Sequence, residues 1–199
     1  MTIAPESEPQ PAAPISFGLR LQCPVVVALI GLPGAGKTRV AQYLHQRLQV
    51  RIVNRDEIRR ALFPECAYSQ PEKRASVQAA FLAVEVNAAL GESTVVDGMT
   101  FSKTRDLTKL GELVAKYGLR FIPIWLDISA ELAKARIQSD IDAGTNHLAD
   151  DRIPEMVDSV LAGFQRPPPT VPVIDASLPL ERVRALAEQI VLARAGRNV

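Results

Sequence analysis

The chain has two cysteines, two histidines, one tryptophan and almost no net charge, and each scarcity removes a class of protein. Cys23 and Cys66 are too few for a disulfide framework. His45 and His147 have no Cys, His or carboxylate at metal-ligand spacing, so His45 reads as helix surface and His147 as part of a flap. With 23 basic and 22 acidic residues the net charge is +1, too small for the field of a general polyanion-binding surface. Arg51, Arg55, Arg59 and Arg60 nevertheless cluster, which reads as a local site. No run approaches the roughly eighteen apolar residues a membrane span needs. The first twenty residues have no apolar signal-peptide core and carry Pro5, Pro9, Pro11 and Pro14 with Glu6 and Glu8, which predicts a disordered Pro-rich tail and a cytoplasmic protein.

What is present suits a single domain over residues 21–199, since a chain of 199 residues buries roughly 70% of its unfolded surface. Short β-branched runs alternate with helical patterns, the signature of βαβ units and a parallel sheet. Five strands are predicted: Val25 to Ile30, Arg51 to Asn54, Thr94 to Asp97, Leu119 to Asp127, and Val171 to Asp175. A helix should open at the Ser69–Glu72 capping box, with Pro71 in its first turn and Val77, Phe81, Val84 and Ala88 on its core face. The next should start near Ser102 and end at Gly118. From Ser129 a further helix should give way at Asp140 to a polar flap reaching Asp151. Helices from Pro154 to the Pro167-Pro168-Pro169 stop and from about Pro179 to Ala195 complete the pattern.

The most informative segment is Gly31-Leu32-Pro33-Gly34-Ala35-Gly36-Lys37-Thr38, which fits G-x-x-x-x-G-K-[ST] between the first strand and a helix running from Lys37 to about Leu48. Its glycines let successive N–H groups point at a phosphate, Lys37 adds a mobile positive charge, and the Thr38 hydroxyl can ligate Mg²⁺. The positive end of the helix faces the same phosphates.

In an open parallel sheet, ligands sit beyond the carboxyl ends of the strands, so chemistry is sought there. After strand two, Asp56 and Arg59 form D-x-x-R on one helix face: the carboxylate can deprotonate an acceptor hydroxyl and the guanidinium can hold an anionic group. A surface ion pair is the alternative for this spacing. After strand three, Asp97 can hold the water shell of Mg²⁺ or touch the acceptor, and Gly98 allows close backbone approach. Arg136 and Arg152 flank the flap, where a lid arginine could meet the charge spread over a transferring phosphoryl group. Arg105 either faces the acceptor pocket or is a solvated helix residue.

G-x-P-G-A-G-K-T, N-R-D-x-x-R, V-V-D-G followed by F-S-x-x-R, and an Arg-bearing lid helix together resemble P-loop kinases of the polynucleotide kinase, zeta-toxin and chloramphenicol phosphotransferase type. The likeness runs from about Val25 to Val173. It implies a three-layer α/β fold with strand order 2-3-1-4-5 and a lid at about 136–152. It also implies ATP as donor, Mg²⁺ as cofactor, and an acceptor hydroxyl near Asp56 and Arg59, with Asp56 as general base. Relatives often carry a second lid arginine four residues after the first, where this chain has Asp140.

The expected activity is ATP-dependent phosphorylation of a hydroxyl on a small molecule or a nucleic-acid end; net charge does not point to the latter. The competing expectation is a toxin-like or regulatory ATP-binding module that acts through a partner. A GTPase switch is disfavoured because N-K-x-D and T-K-x-D are missing, the nearest string being Thr108-Lys109-Leu110-Gly111. An ABC-type ATPase is disfavoured by size and by the lack of L-S-G-G-Q. Acceptor specificity is expected in Phe63 to Ser76 and in the flap.

Overall fold

All six residues of strand β1, Val25–Ile30, are buried, as a central parallel strand covered on both faces requires. Val25, Val27 and Leu29 enter one core, while Val26, Ala28 and Ile30 enter the other, because successive side chains alternate across a sheet. This computed structural model describes residues 21–144 and 153–196. The expected tail at 1–20, and His147 and Arg152 of the expected flap, lie outside the described residues.

Chain order runs β1, α1 (Lys37–Leu48), β2 (Arg51–Asn54), α2 (Arg55–Leu62), α3 (Gln70–Ala89), β3 (Thr94–Asp97) and α4 (Thr104–Lys116). It continues through β4 (Arg120–Asp127), α5 (Ala130–Asp142), α6 (Met156–Ala162), β5 (Val173–Asp175) and α7 (Leu180–Ala195). The five strands form one parallel sheet in the order β2-β3-β1-β4-β5, the order expected of a P-loop kinase fold. Helices α1, α5, α6 and α7 cover one face, and α3 and α4 the other. Register then places the site: β2 and β3 end together, with Asn54 and Asp97 as Cα partners.

Several boundaries differ from the sequence reading for physical reasons. Strand β5 begins at Val173, because Pro172 has no N–H to donate; its carbonyl accepts from Trp125 N at 2.9 Å. Helix α4 starts two residues later than expected, at Thr104. Helix α5 stays helical through Asp142, so Asp140 is a helical residue and not the start of an irregular flap. There the Gln138 amide donates to Asp142 Oδ1 at 2.7 Å, one turn along. Helix α6 stops at Ala162, well before the three prolines. Beyond it the chain turns away, with Gln165 N donating to Ser102 O at 2.9 Å and Lys103 Nζ to Gly163 O at 2.6 Å.

The capping box at the start of α3 is formed in full: Glu72 N donates to Ser69 Oγ, and Ser69 N donates back to Glu72 Oε2 at 2.7 Å. Bonds from the Ala67 and Ser69 N–H groups hold the Glu72 carboxyl below the usual carboxylate range. Ser69→Ala is expected to lower unfolding free energy by about 1 kcal/mol, read as a shifted urea midpoint at unchanged slope.

Candidate active site

The loop Gly31 to Thr38 packs tightly at Gly31 and Gly34, where neighbouring backbone leaves no room for a side chain. Gly34 has φ +85°, and a Cβ there would lie 2.5 Å from the Ala133 carbonyl of α5. The loop is thus seated on the helix that carries Arg136. Gly31 N also donates to Thr100 O at 3.1 Å, tying the loop to the turn after β3. Lys37 Nζ donates to the carbonyls of Gly31 and Leu32, at 2.9 and 2.8 Å, which arches its stem back over the loop.

Asp97 is 1% exposed, and its carboxylate is divided between two halves of the cleft. Oδ1 accepts from Thr38 Oγ1 at 3.2 Å, while Oδ2 accepts from Asn54 Nδ2 at 2.9 Å. Burial raises the Asp97 pKa above its ordinary value, with the neighbouring Asp56 charge pushing the same way. The Gly98 N–H, the Thr38 hydroxyl and the Lys37 charge oppose this. Asn54 uses its other atom, Oδ1, to cap α2, accepting from Asp56 N at 2.8 Å and Glu57 N at 3.1 Å. Gly98 closes this corner: its φ is +73°, and a Cβ would lie 3.0 to 3.1 Å from Asn54 Oδ1 and from Asp56 and Arg55 N.

The D-x-x-R pair is buried, which sets aside the surface-pair alternative. Arg59 Nη2 lies 2.9 Å from Asp56 Oδ1, with the two side chains 4% and 9% exposed. Arg55 Nη2 reaches the same oxygen at 2.6 Å. Arg59 also stacks on Tyr68, its guanidinium carbon 4.6 Å from the ring centre.

A cleft of about 850 Å³ brings these parts together. Lys37, Thr38, Asp56, Arg59, Asp97 and Arg136 all line it, and Asp140 joins them one helical turn beyond Arg136. Arg105 does not: its side chain is 78% exposed on α4 and pairs with Asp106 at 3.5 Å. His45 is exposed, its ring Nδ1 within 2.8 Å of Val50 O. Thr38 Oγ1 and Asp97 Oδ1 are adjacent hard oxygens, a donor set suited to Mg²⁺, which takes one or two protein ligands and completes its shell with phosphate oxygens and water. Among the described residues no group of three or more His, Cys, Asp or Glu is placed to hold a metal ion.

The AAA domain family matches residues 26–165. The chain belongs to that family. A comparison with curated protein sequences finds no match. Solved structures similar to this AAA domain chain include the Mycobacterium tuberculosis APS kinase in complex with AMPPNP and APS, at 15% identity and TM-score 0.62, covering 85% of this chain and 98% of that one. A gluconokinase from Sinorhizobium meliloti 1021 has 16% identity and TM-score 0.63, over 88% and 95% of the two chains. A sugar kinase from Janibacter sp. HTCC2649 has 19% identity and TM-score 0.61, over 88% and 99%. At these identities the likeness is one of fold.

Sequence reasoning missed the double role of Asn54, and it assigned no chemistry to Lys73 or Tyr68. For Asn54 the signal was readable, since Asn directly before an acidic helix start is a favoured N-cap. Asn54→Ala should remove about 2 kcal/mol of stability, having lost both the cap and a donor to a buried carboxylate. Asn54→Asp keeps the cap but sets a second carboxylate against Asp97, which raises the folded-state pKa of the pair. Its deficit relative to wild type should therefore be larger at pH 7 than at pH 5 in urea titrations.

Proposed function

We propose that this protein is an ATP-dependent kinase that transfers the γ-phosphoryl group to a hydroxyl of a small molecule or nucleic-acid end in the cytoplasm. One observation carries the reading: the phosphate-binding loop with Lys37 and Thr38 shares a single cleft with the buried Asp56–Arg59 pair. A loop that only bound nucleotide would need no buried acid and arginine opposite it. The fold neighbours support the same class, being named for kinases of APS, gluconate and sugar.

Each side chain then has a task. The N–H groups of Gly31 to Thr38 cradle the phosphates, and Lys37 leaves its carbonyl partners to meet the phosphate oxygens. Thr38 and Asp97 would hold Mg²⁺, whose chemistry there would be to offset phosphate charge. With both arginines on Oδ1 of Asp56, Oδ2 is the oxygen that takes the proton of the acceptor hydroxyl. As the acceptor oxygen bonds to the γ-phosphorus, the bond to the β,γ-bridging oxygen breaks and its electron pair leaves on ADP. Arg136, in the wall of the cleft, meets the charge on the transferring group.

With γ-labelled ATP and a panel of nucleosides, oligonucleotide ends, sugars, amino-sugar nucleotides and antibiotics, label should move to at least one hydroxyl compound. Asp56→Asn should retain ATP binding and lose transfer; a variant that still phosphorylates its acceptor removes Asp56 as the base. Arg136→Ala should cost roughly a thousandfold in kcat, against less than about 1 kcal/mol of stability for a solvated helix residue. Nucleotide binding without transfer to any acceptor, together with stable association with another chain, would favour the partner-dependent module instead.

A further inference from the structure

A second cavity, of about 630 Å³, shares three walls with the cleft and takes part in none of the chemistry above. It lies at the carboxyl ends of β4 and β5, walled by Leu32 of the phosphate-binding loop, Leu132 of α5 and Leu161 of α6. The same three elements present Pro33, Arg136 and Val160 to the cleft, so the two cavities are separate.

Strand register builds its floor. Trp125 and Val173 are Cα partners, and two residues on so are Asp127 and Asp175. Alternation along the strands puts these four on one face, while Leu126 and Ile174 between them enter the core on the other. An apolar row is therefore followed, about 7 Å further along, by an acidic row. The apolar row is open: Val173 is 54% exposed, and Leu161 in the same cavity 47%. The indole of Trp125 is held in place, with the Phe164 ring centre 6.2 Å from its own and the Arg166 guanidinium carbon at 5.8 Å.

The acidic row is mismatched within the chain. Register sets two carboxylates directly opposite each other, a destabilising placement for like charges. Asp175 does not escape it by taking up a proton, because the Ser177 N–H and hydroxyl donate to its Oδ1 at 2.8 and 2.6 Å and hold its carboxyl below the usual range. Among the described residues neither Asp127 nor Asp175 forms an ion pair; Arg166 sits over the Trp125 ring instead. A neutral occupant would leave the two charges opposed, and an anion would add a third. An apolar ring carrying a protonated amine matches both rows at their spacing.

We propose that this cavity is a binding site for small aromatic amines, with the ring on Trp125 and Val173 and the ammonium between Asp127 and Asp175. The site stands apart from the nucleotide cleft, and the proposal does not rest on the kinase reading.

Trp125 is the sole tryptophan of the sequence, so its fluorescence reports occupancy directly. Phenethylamine, phenethyl alcohol and phenylacetate share one ring and differ in charge; each is titrated into the full chain. The amine should change the emission saturably, with a Kd about tenfold or more below that of the alcohol, and phenylacetate should bind more weakly still. Asp127→Asn, at an exposed strand end, should raise the Kd for the amine about tenfold and leave that for the alcohol within about twofold. Leu161→Arg should abolish binding of the amine while AMPPNP binding, read by calorimetry, is kept; if AMPPNP binding is lost as well, Asp127→Asn decides. Saturating AMPPNP should leave the amine bound. The proposal is overturned by the absence of a saturable change with the amine, by equal or tighter binding of the alcohol or phenylacetate, or by an Asp127→Asn effect equal on amine and alcohol. Amine binding that survives in Leu161→Arg, or that AMPPNP displaces competitively, overturns it too.

Discussion

The Asp97 carboxylate is the constraint around which the two halves of the cleft are arranged. A carboxyl at 1% exposure is sustained by donors on opposite sides: Thr38 from the start of α1, Asn54 from the end of β2, and the N–H of Gly98. Removing any of them leaves a buried polar group short of a partner, which costs more than the bond itself contributes. The same contacts fix the start of α1 and the start of α2 relative to one another. The phosphate-binding loop and the helix that carries Asp56 and Arg59 are therefore positioned by one side chain.

That positioning depends on the sheet. Parallel pairing in the order β2-β3-β1-β4-β5 sets the end of β3 between β2 and β1, so a residue closing β3 reaches both neighbouring loops. Asn54 and Asp97 are register partners, and Gly98 keeps the corner between them clear. Asp56 and Arg59 follow from the cap that Asn54 makes, because the cap sets the first turn of α2 and the pair is three residues apart on it. Their burial distinguishes them from the solvated pairs that this spacing usually produces.

The strands, their order and the phosphate-binding loop were legible because each rests on local pattern: β-branched runs, a glycine-lysine motif, and a resemblance that carried the topology. Asp97 was legible as a strand-end carboxylate, and Arg136, read as a lid arginine beside the expected flap, lies on α5 in the wall of the cleft. The link between Asp97 and Asn54 was not, since it is made by strand register between residues 43 apart. Lys73 was hidden for a similar reason. Helical periodicity assigns α3 a core face, but the approach of its first turns to the cleft is set by the α2–α3 connection and the left-handed turn at Tyr68. The extent of α5 was misjudged because Asp140 and Asp142 read as loop residues, whereas side-chain bonding along the helix keeps them in it.

The central claim is the proposed one that Asp97 would serve a metal beside the phosphate-binding loop while it orders the start of α2. The most direct measurement is the Mg²⁺ dependence of AMPPNP binding, by calorimetry, in wild type and Asp97→Asn. Mg²⁺ should tighten binding to wild type by about tenfold or more; in the variant that gain should vanish while metal-free affinity stays within about twofold. If Asp97→Asn retains the full Mg²⁺ gain, the carboxylate is not the junction of the two halves and the account fails.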